Sequence, residues 1–196
     1  IAALHGVIGA LMALRHRDAT GGRWDGSRGG EGQMVDVALY EAVFNLMEST
    51  VPEYDRAGVV RARTGGALPG IVPSNTYSCA DGQAIVIAGN GDAIFRRLML
   101  AIGRDDLAND PQLARNDGRV PRTQEIDDAI RAWCSGRDID AALAALDAAD
   151  VPVSKIYSVA DMFSDAQFAA RAMIERHPMA DGTPLAVPAV TPKLSA

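Results

Sequence analysis

Gly32-Gln33-Met34-Val35-Asp36-Val37-Ala38-Leu39-Tyr40-Glu41-Ala42-Val43 decides how this chain is read. Its first part alternates, with Val35, Val37 and Leu39 on one side and Asp36 on the other, the period of a half-buried strand over 33–39. The period then changes. Residues 40–51 carry Val43, Phe44, Leu46 and Met47 among good helix formers, which predicts a helix that Pro52 ends at its preceding residue.

On the N-terminal side, Leu4, Val7, Ile8, Leu11 and Leu14 recur at helical spacing over 1–17, and Arg15, His16 and Arg17 close the last turn, where cations suit the helix dipole. This predicts a buried helix with a basic exit. Gly6 and Gly9 inside it each cost about 1 kcal/mol against Ala, so a neighbouring backbone is expected to approach there. Residues 18–32, rich in Gly, Arg and Ser with a lone Trp24, read as a surface loop.

On the other side, a charged stretch over 54–63 passes into Thr64-Gly65-Gly66-Ala67-Leu68-Pro69-Gly70, where a domain boundary is expected. Strands follow at 75–79 and 83–88, joined by a turn at Asp81-Gly82. Asp92 is expected to cap a helix over 93–102 that Gly103 stops. Amphipathic helices are predicted at 123–134 (Ile126, Ile130, Trp133 inward) and 139–149 (Leu143, Leu146 inward). A short strand falls within 151–159, and a further helix within 160–174 with Met162, Phe163, Phe168 and Met173 inward. Pro178, Pro184, Pro188 and Pro192 leave edge strand or extended linker for the last twenty residues.

Composition removes several functions. At 196 residues and 48% hydrophobic, the chain can bury one good core or two small ones. The net charge of −6 contains no basic run, which speaks against a nucleic-acid partner. Apolar stretches break well before the ~20 residues that cross a bilayer, so no membrane association is expected. Cys79 and Cys134 lack ligand or disulfide spacing and read as core thiols, which fits a reducing cytoplasm and leaves no metal site.

No local motif announces a reaction: GxSxG, HExxH, GxxxxGK[ST] and a strand-to-helix GxGxxG are all absent from the sequence. His5, His16 and His177 stand apart, and His5 reads as a satisfied core or interface histidine rather than a base. Residues 64–70 admit two readings, a backbone that offers free N–H groups to a ligand and an ordinary hinge. Arg61 and Arg63 before it suit either an anionic substrate or a solvated surface. Residues 89–92 are a poor phosphate loop because Asp92 would repel the phosphate.

The opening stretch resembles the GQxVDVSLYEA segment of family III CoA transferases, the group that contains formyl-CoA and carnitine CoA transferases. Gly65 to Gly70 with Pro73, Tyr77, Asp81-Gly82 and Ile85-Val86-Ile87 is similar to that family's glycine loop and hairpin. Asp110-Pro111 with Arg119, and Asp165-Ala166-Gln167 with Arg171, resemble later landmarks in the same order, so the likeness covers nearly the whole chain.

The resemblance implies an α/β fold: the end of a Rossmann-like large domain (1–52), a linker with the glycine loop (53–69), a small α+β domain (70–175) and a linker returning to the large domain (176–196). It implies an interlocked homodimer. It also implies a transferase that moves CoA between carboxylic acids through an aspartyl covalent intermediate, with the nucleophile expected about two residues before Ile1 and no catalytic residue in this stretch. Gly65, Gly66, Ala67 and Leu68 would cover the intermediate and offer it peptide N–H groups. Coenzyme A thioester and carboxylate are then substrates, with no permanently bound cofactor. The family's α-methylacyl-CoA racemases are an alternative, and a catalytically incomplete dimerisation fragment is another. Two departures, an insertion over 22–30 and the Ala67-Leu68 interruption of the glycine loop, leave substrate choice open.

Overall fold

The structure, a computed structural model, describes residues 1–22 and 30–195. Most of the expected insertion over 22–30 therefore lies outside the described residues. Helices and sheets are mixed, and the chain divides into two compact units, Ile1–Arg63 and Thr64–Ala196.

The first unit holds α1 (Ala2–Ala19), α2 (Leu39–Phe44) and α3 (Thr50–Ala57). The expected helix over 1–17 is present, yet none of its residues is buried; Leu4 and Leu11 remain 67% and 61% exposed. Its apolar stripe meets too little of this unit to be covered. A methyl group at Gly9 would lie 2.7 Å from Val35 Cγ1, so this glycine admits a side chain rather than a backbone, while Gly6 faces open space. The expected strand over 33–39 is not formed. Among the described residues no strand lies beside 31–38 to complete a ladder, and a lone strand cannot satisfy its backbone groups.

The helix expected over 40–51 is also corrected. Glu48, at φ 45°, takes a left-handed conformation that no helix continues, so α2 stops at Phe44 and α3 begins afresh at Thr50. Pro52 sits in the first turn of α3, where backbone N–H groups have no intrahelical partner to lose.

The second unit is built on a three-stranded antiparallel sheet of β1 (Ser74–Ser78), β2 (Ala84–Ala88) and β3 (Val153–Lys155), with β2 central. Tyr77 pairs with Ile85, and Ile85 in turn with Lys155. Helices α4 (Asp92–Ala101), α5 (Asp105–Ala108), α6 (Asn116–Arg119), α7 (Thr123–Ser135) and α8 (Ile139–Ala148) complete this layer. Alternation decides which sheet face they cover: Ile85 and Ile87 are fully buried, and Val86 between them stays exposed. Phe95, Leu98 and Met99 of α4, Ile126 and Ile130 of α7, and Leu146 of α8 close the core over them. Each such side chain contributes about 1.5–3 kcal/mol on burial.

The helix expected over 160–174 is two helices, α9 (Val159–Ser164) and α10 (Ala166–Ala170). Asp165 divides them: its backbone is extended, and its carboxylate accepts from Gln167 N at 2.8 Å and Phe168 N at 2.9 Å. Phe163 and Met173, expected inward, are 53% and 40% exposed. The tail forms a hairpin of β4 (Ile174–Pro178) and β5 (Pro184–Pro188), with prolines at strand ends where a missing N–H costs least.

Candidate functional site

The loop that precedes β1 is assembled from short-range bonds. Thr64 O accepts from Ala67 N at 3.2 Å and Thr64 Oγ1 donates to Ala67 O at 2.9 Å, which closes a four-residue turn. Gly65 (φ 65°) and Gly70 (φ 77°) take left-handed conformations that a side chain would strain. Leu68 N donates to Ser74 O at 2.9 Å, tying the loop to the start of β1. Asn116 of α6 holds the far end: its Nδ2 donates to Gly70 O at 2.8 Å and its Oδ1 accepts from Val72 N at 3.0 Å.

The family resemblance groups Gly65, Gly66, Ala67 and Leu68 as N–H donors, and the geometry separates them. The amides of Ala67 and Leu68 are engaged within the protein, whereas those of Gly65 and Gly66 have no partner among the described residues. Two adjacent free amides in an exposed turn can donate to an oxyanion. Gly66 also rests directly on β1, since a Cβ there would lie 2.6 Å from Thr76 Oγ1.

A cavity of about 220 Å³ adjoins the loop, lined by Thr64, Ala67, Leu68, Val72, Thr123 and Asp127 among others. This is below the ~300 Å³ at which small-molecule pockets begin, so it is too small to hold CoA by itself. Asp127 of α7 is 8% exposed. It accepts from Tyr77 Oη at 2.6 Å and from Asn75 Nδ2 at 2.9 Å. Burial, then the Asp127 carboxylate, pushes the Tyr77 hydroxyl well above its ordinary pKa, so it remains a neutral donor. Sequence reasoning missed Asp127, Asn75 and Asn116. Only Asp127 left a trace, as a carboxylate inside the apolar face formed by Ile126, Ile130 and Cys134.

The remaining candidates are structural. Asp92 does not cap α4; Gly91 is the N-cap, and Asp92 Oδ1 accepts instead from the buried Arg119 Nη2 at 2.7 Å. Gly89 packs against Leu98, where a Cβ would lie 2.5 Å from Leu98 Cδ2, so residues 89–92 serve the core. Arg61 is held by Glu53 and, at 2.9 Å, by Ser49 Oγ. His5 lies 3.2 Å from Asn45 Nδ2 through Nε2 and 3.2 Å from Ile1 O through Nδ1. His16 lies 3.5 Å from Glu31, and His177 lies 3.1 Å from Glu175 within β4. Cys79 and Cys134 are both free and buried, and burial pushes the Cys134 thiol up to about 12, which leaves it inert as a nucleophile at neutral pH. Among the described residues no His, Cys, Asp or Glu cluster is placed to hold a metal, and no helix is long and apolar enough to cross a membrane.

Comparison with known proteins adds an independent line. A family model described as CoA-transferase family III matches residues 1–196. The chain is 40% identical over 196 residues to a succinyl-CoA–D-citramalate CoA-transferase of Chloroflexus aurantiacus, covering all of this chain (100%) and 46% of that protein. It is 33% identical over 198 residues to a succinyl-CoA–L-malate CoA-transferase alpha subunit of Chloroflexus aurantiacus, covering 100% of this chain and 44% of that subunit. The crystal structure of a CAIB/BAIF family protein from Brucella suis superposes with a TM-score of 0.74 at 30% identity, over 99% of this chain and 47% of that one. The chain thus spans about half the length of the curated relatives it matches.

Proposed function

Because the chain belongs to CoA-transferase family III, we propose that it is part of an acyl-CoA transferase that moves CoA between carboxylic acids. The observation that carries this reading is the loop at residues 64–68, where the amides of Gly65 and Gly66 have no partner among the described residues while those of Ala67 and Leu68 are engaged. In the proposed reaction an aspartate, contributed by polypeptide preceding Ile1, attacks the acyl-CoA thioester to give a mixed anhydride and CoA thiolate. The thiolate then adds to the aspartyl carbonyl and releases the first acid, leaving an aspartyl-CoA thioester. An acceptor carboxylate reverses both steps. Dividing one hard transfer into two covalent stages is nucleophilic catalysis, and it needs water kept from the anhydride. The free amides stabilise oxyanions of the intermediate, and the loop with Ala67 and Leu68 covers it.

The finer architecture follows the same reading. Residues 1–52 end a Rossmann-like large domain, 53–69 link it through the glycine loop to the small domain at 70–175, and 176–196 return to it. The protein acts as a homodimer. Two free buried thiols support a reducing, cytoplasmic setting. Proton transfer of the racemase kind is not favoured, since the relatives above carry CoA-transferase names. Those names share succinyl-CoA, so succinyl-CoA with a short dicarboxylic acid is the first pair to assay.

The test is CoA exchange by the full-length protein between succinyl-CoA and D-citramalate or L-malate, followed as new acyl-CoA by chromatography. Exchange is expected with at least one acceptor. Deuterium entering the α-carbon of a 2-methylacyl-CoA in heavy water, with no exchange between acids, would sink the reading in favour of the racemase.

A further inference from the structure

The pair Asp127 and Asn75 connects the core of the second unit to the glycine loop. Asp127 Oδ2 accepts from Asn75 Nδ2 at 2.9 Å, and Asn75 Oδ1 accepts from Thr76 N at 2.8 Å. Both ends of the Asn75 carboxamide are thereby committed, which fixes its orientation. Thr76 is the residue against which Gly66 is packed, with 2.6 Å from its Oγ1 and 3.0 Å from its Cβ to the place a Gly66 Cβ would occupy. The contacts therefore run without a gap from α7 through β1 to the loop. The buried Tyr77 hydroxyl accounts for one of the two bonds that Asp127 accepts, since a buried donor needs a partner; the bond from the part-buried Asn75 answers no such need of the core.

We infer that Asp127 is a positioning residue for the glycine loop: through Asn75 it fixes β1 at Thr76, the seat of Gly66, and so aims the free amides of Gly65 and Gly66. This rests on the acyl-transfer reading above. The two arms of Asp127 differ in purpose. The Tyr77 arm satisfies a buried hydroxyl in the core, and only the Asn75 arm leads to the loop.

The arms can be cut separately. D127N keeps an oxygen for the Tyr77 hydroxyl but turns an amide donor toward the Asn75 donor, breaking that arm. N75A removes the same arm without touching Asp127, and Y77F removes only the other. The readout is the partition of the covalent intermediates between transfer and water. Water adding to the mixed anhydride gives the free acid and regenerates the aspartate, so CoA is lost as free thiol; water adding to the aspartyl-CoA thioester likewise returns aspartate and free CoA.

In the full-length protein supplied with succinyl-CoA and its fastest acceptor, free CoA per new acyl-CoA is expected to rise about tenfold in D127N and N75A, the scale of one lost hydrogen bond to a charged group. Y77F is expected to lower the melting temperature and leave the partition at the wild-type value. If D127N does not fold, N75A carries the same comparison. A lowered melting temperature with wild-type partition in D127N and N75A, or an equal rise in Y77F, overturns the inference. Absence of transfer in the wild type overturns the functional reading itself, and the inference with it.

Discussion

Arg119 brings a full charge into the core of the second unit with 0% of its surface exposed, while its partner Asp92 has a side chain 60% exposed. The guanidinium donates to Asp92 Oδ1 at 2.7 Å and Asn90 O at 2.8 Å, and its Cζ lies 4.8 Å from the centre of the Phe95 ring. Nε has no partner. This asymmetry predicts an unusual order of mutant stabilities. In R119M the stranded carboxylate is the exposed one and rehydrates, so the loss stays near the hydrogen bonds removed, about 1–2 kcal/mol. In D92A the stranded charge is the buried one, and the loss approaches the ~3 kcal/mol typical of an uncompensated interior ion. Urea unfolding of the two variants measures both, and R119M proving the weaker of the two would mean that the carbonyl contacts outweigh the ion pair.

Individual helices follow the same logic of where carboxylates send their lone pairs. Asp165 accepts from two N–H groups of α10 and from Tyr157 Oη at 2.6 Å, so D165A should expose the amides of Gln167 and Phe168. A modest loss of stability, that of a missing N-cap, is expected, together with faster hydrogen exchange confined to those amides. Unchanged exchange there would show that packing alone divides α9 from α10. Sequence periodicity located α7 and α8 within a residue or two because their stripes are long and face one core. It failed at Asp165 and Asp92, since a short carboxylate before a helix looks the same whether it caps or reaches elsewhere. Of the edge strand or extended linker expected for the tail, strand is the outcome, and its turn has a signature: Ala180-Asp181-Gly182 repeats the Ala80-Asp81-Gly82 turn, with Gly182 at φ 81° and Gly82 at φ 78°. Within the loop, the run of glycines was visible in sequence. Which amides stay free was not, because Ser74 O and Thr64 O, which engage two of them, carry no side-chain signature.

At the scale of the molecule, the apolar pattern and the buried surface agree in one unit and disagree in the other. Over Thr64–Ala196 the predicted inward residues as far as Val151 form a connected core, from Tyr77 and Ile85 to Leu146, whereas Phe163 and Met173 beyond it stay exposed. Over Ile1–Arg63 only Ala42 is buried among the described residues, although Leu4, Val7, Ile8, Leu11, Val43 and Phe44 lie on helices that pattern alone would bury. Ordering a residue costs about 1.5 kcal/mol of conformational entropy, and one buried Ala cannot offset that over the first unit. On the domain reading proposed above, those stripes would be inner faces of a large domain; the chain spans 46% of its relative's length. Expressed separately, residues 64–196 should therefore give a single cooperative thermal transition with near-ultraviolet circular dichroism from Trp133 and Tyr77. Residues 1–63 should give no transition and bind a hydrophobic dye at room temperature. A cooperative melt from 1–63 alone would mean that its helices find a packing that leaves no need for the rest of the polypeptide.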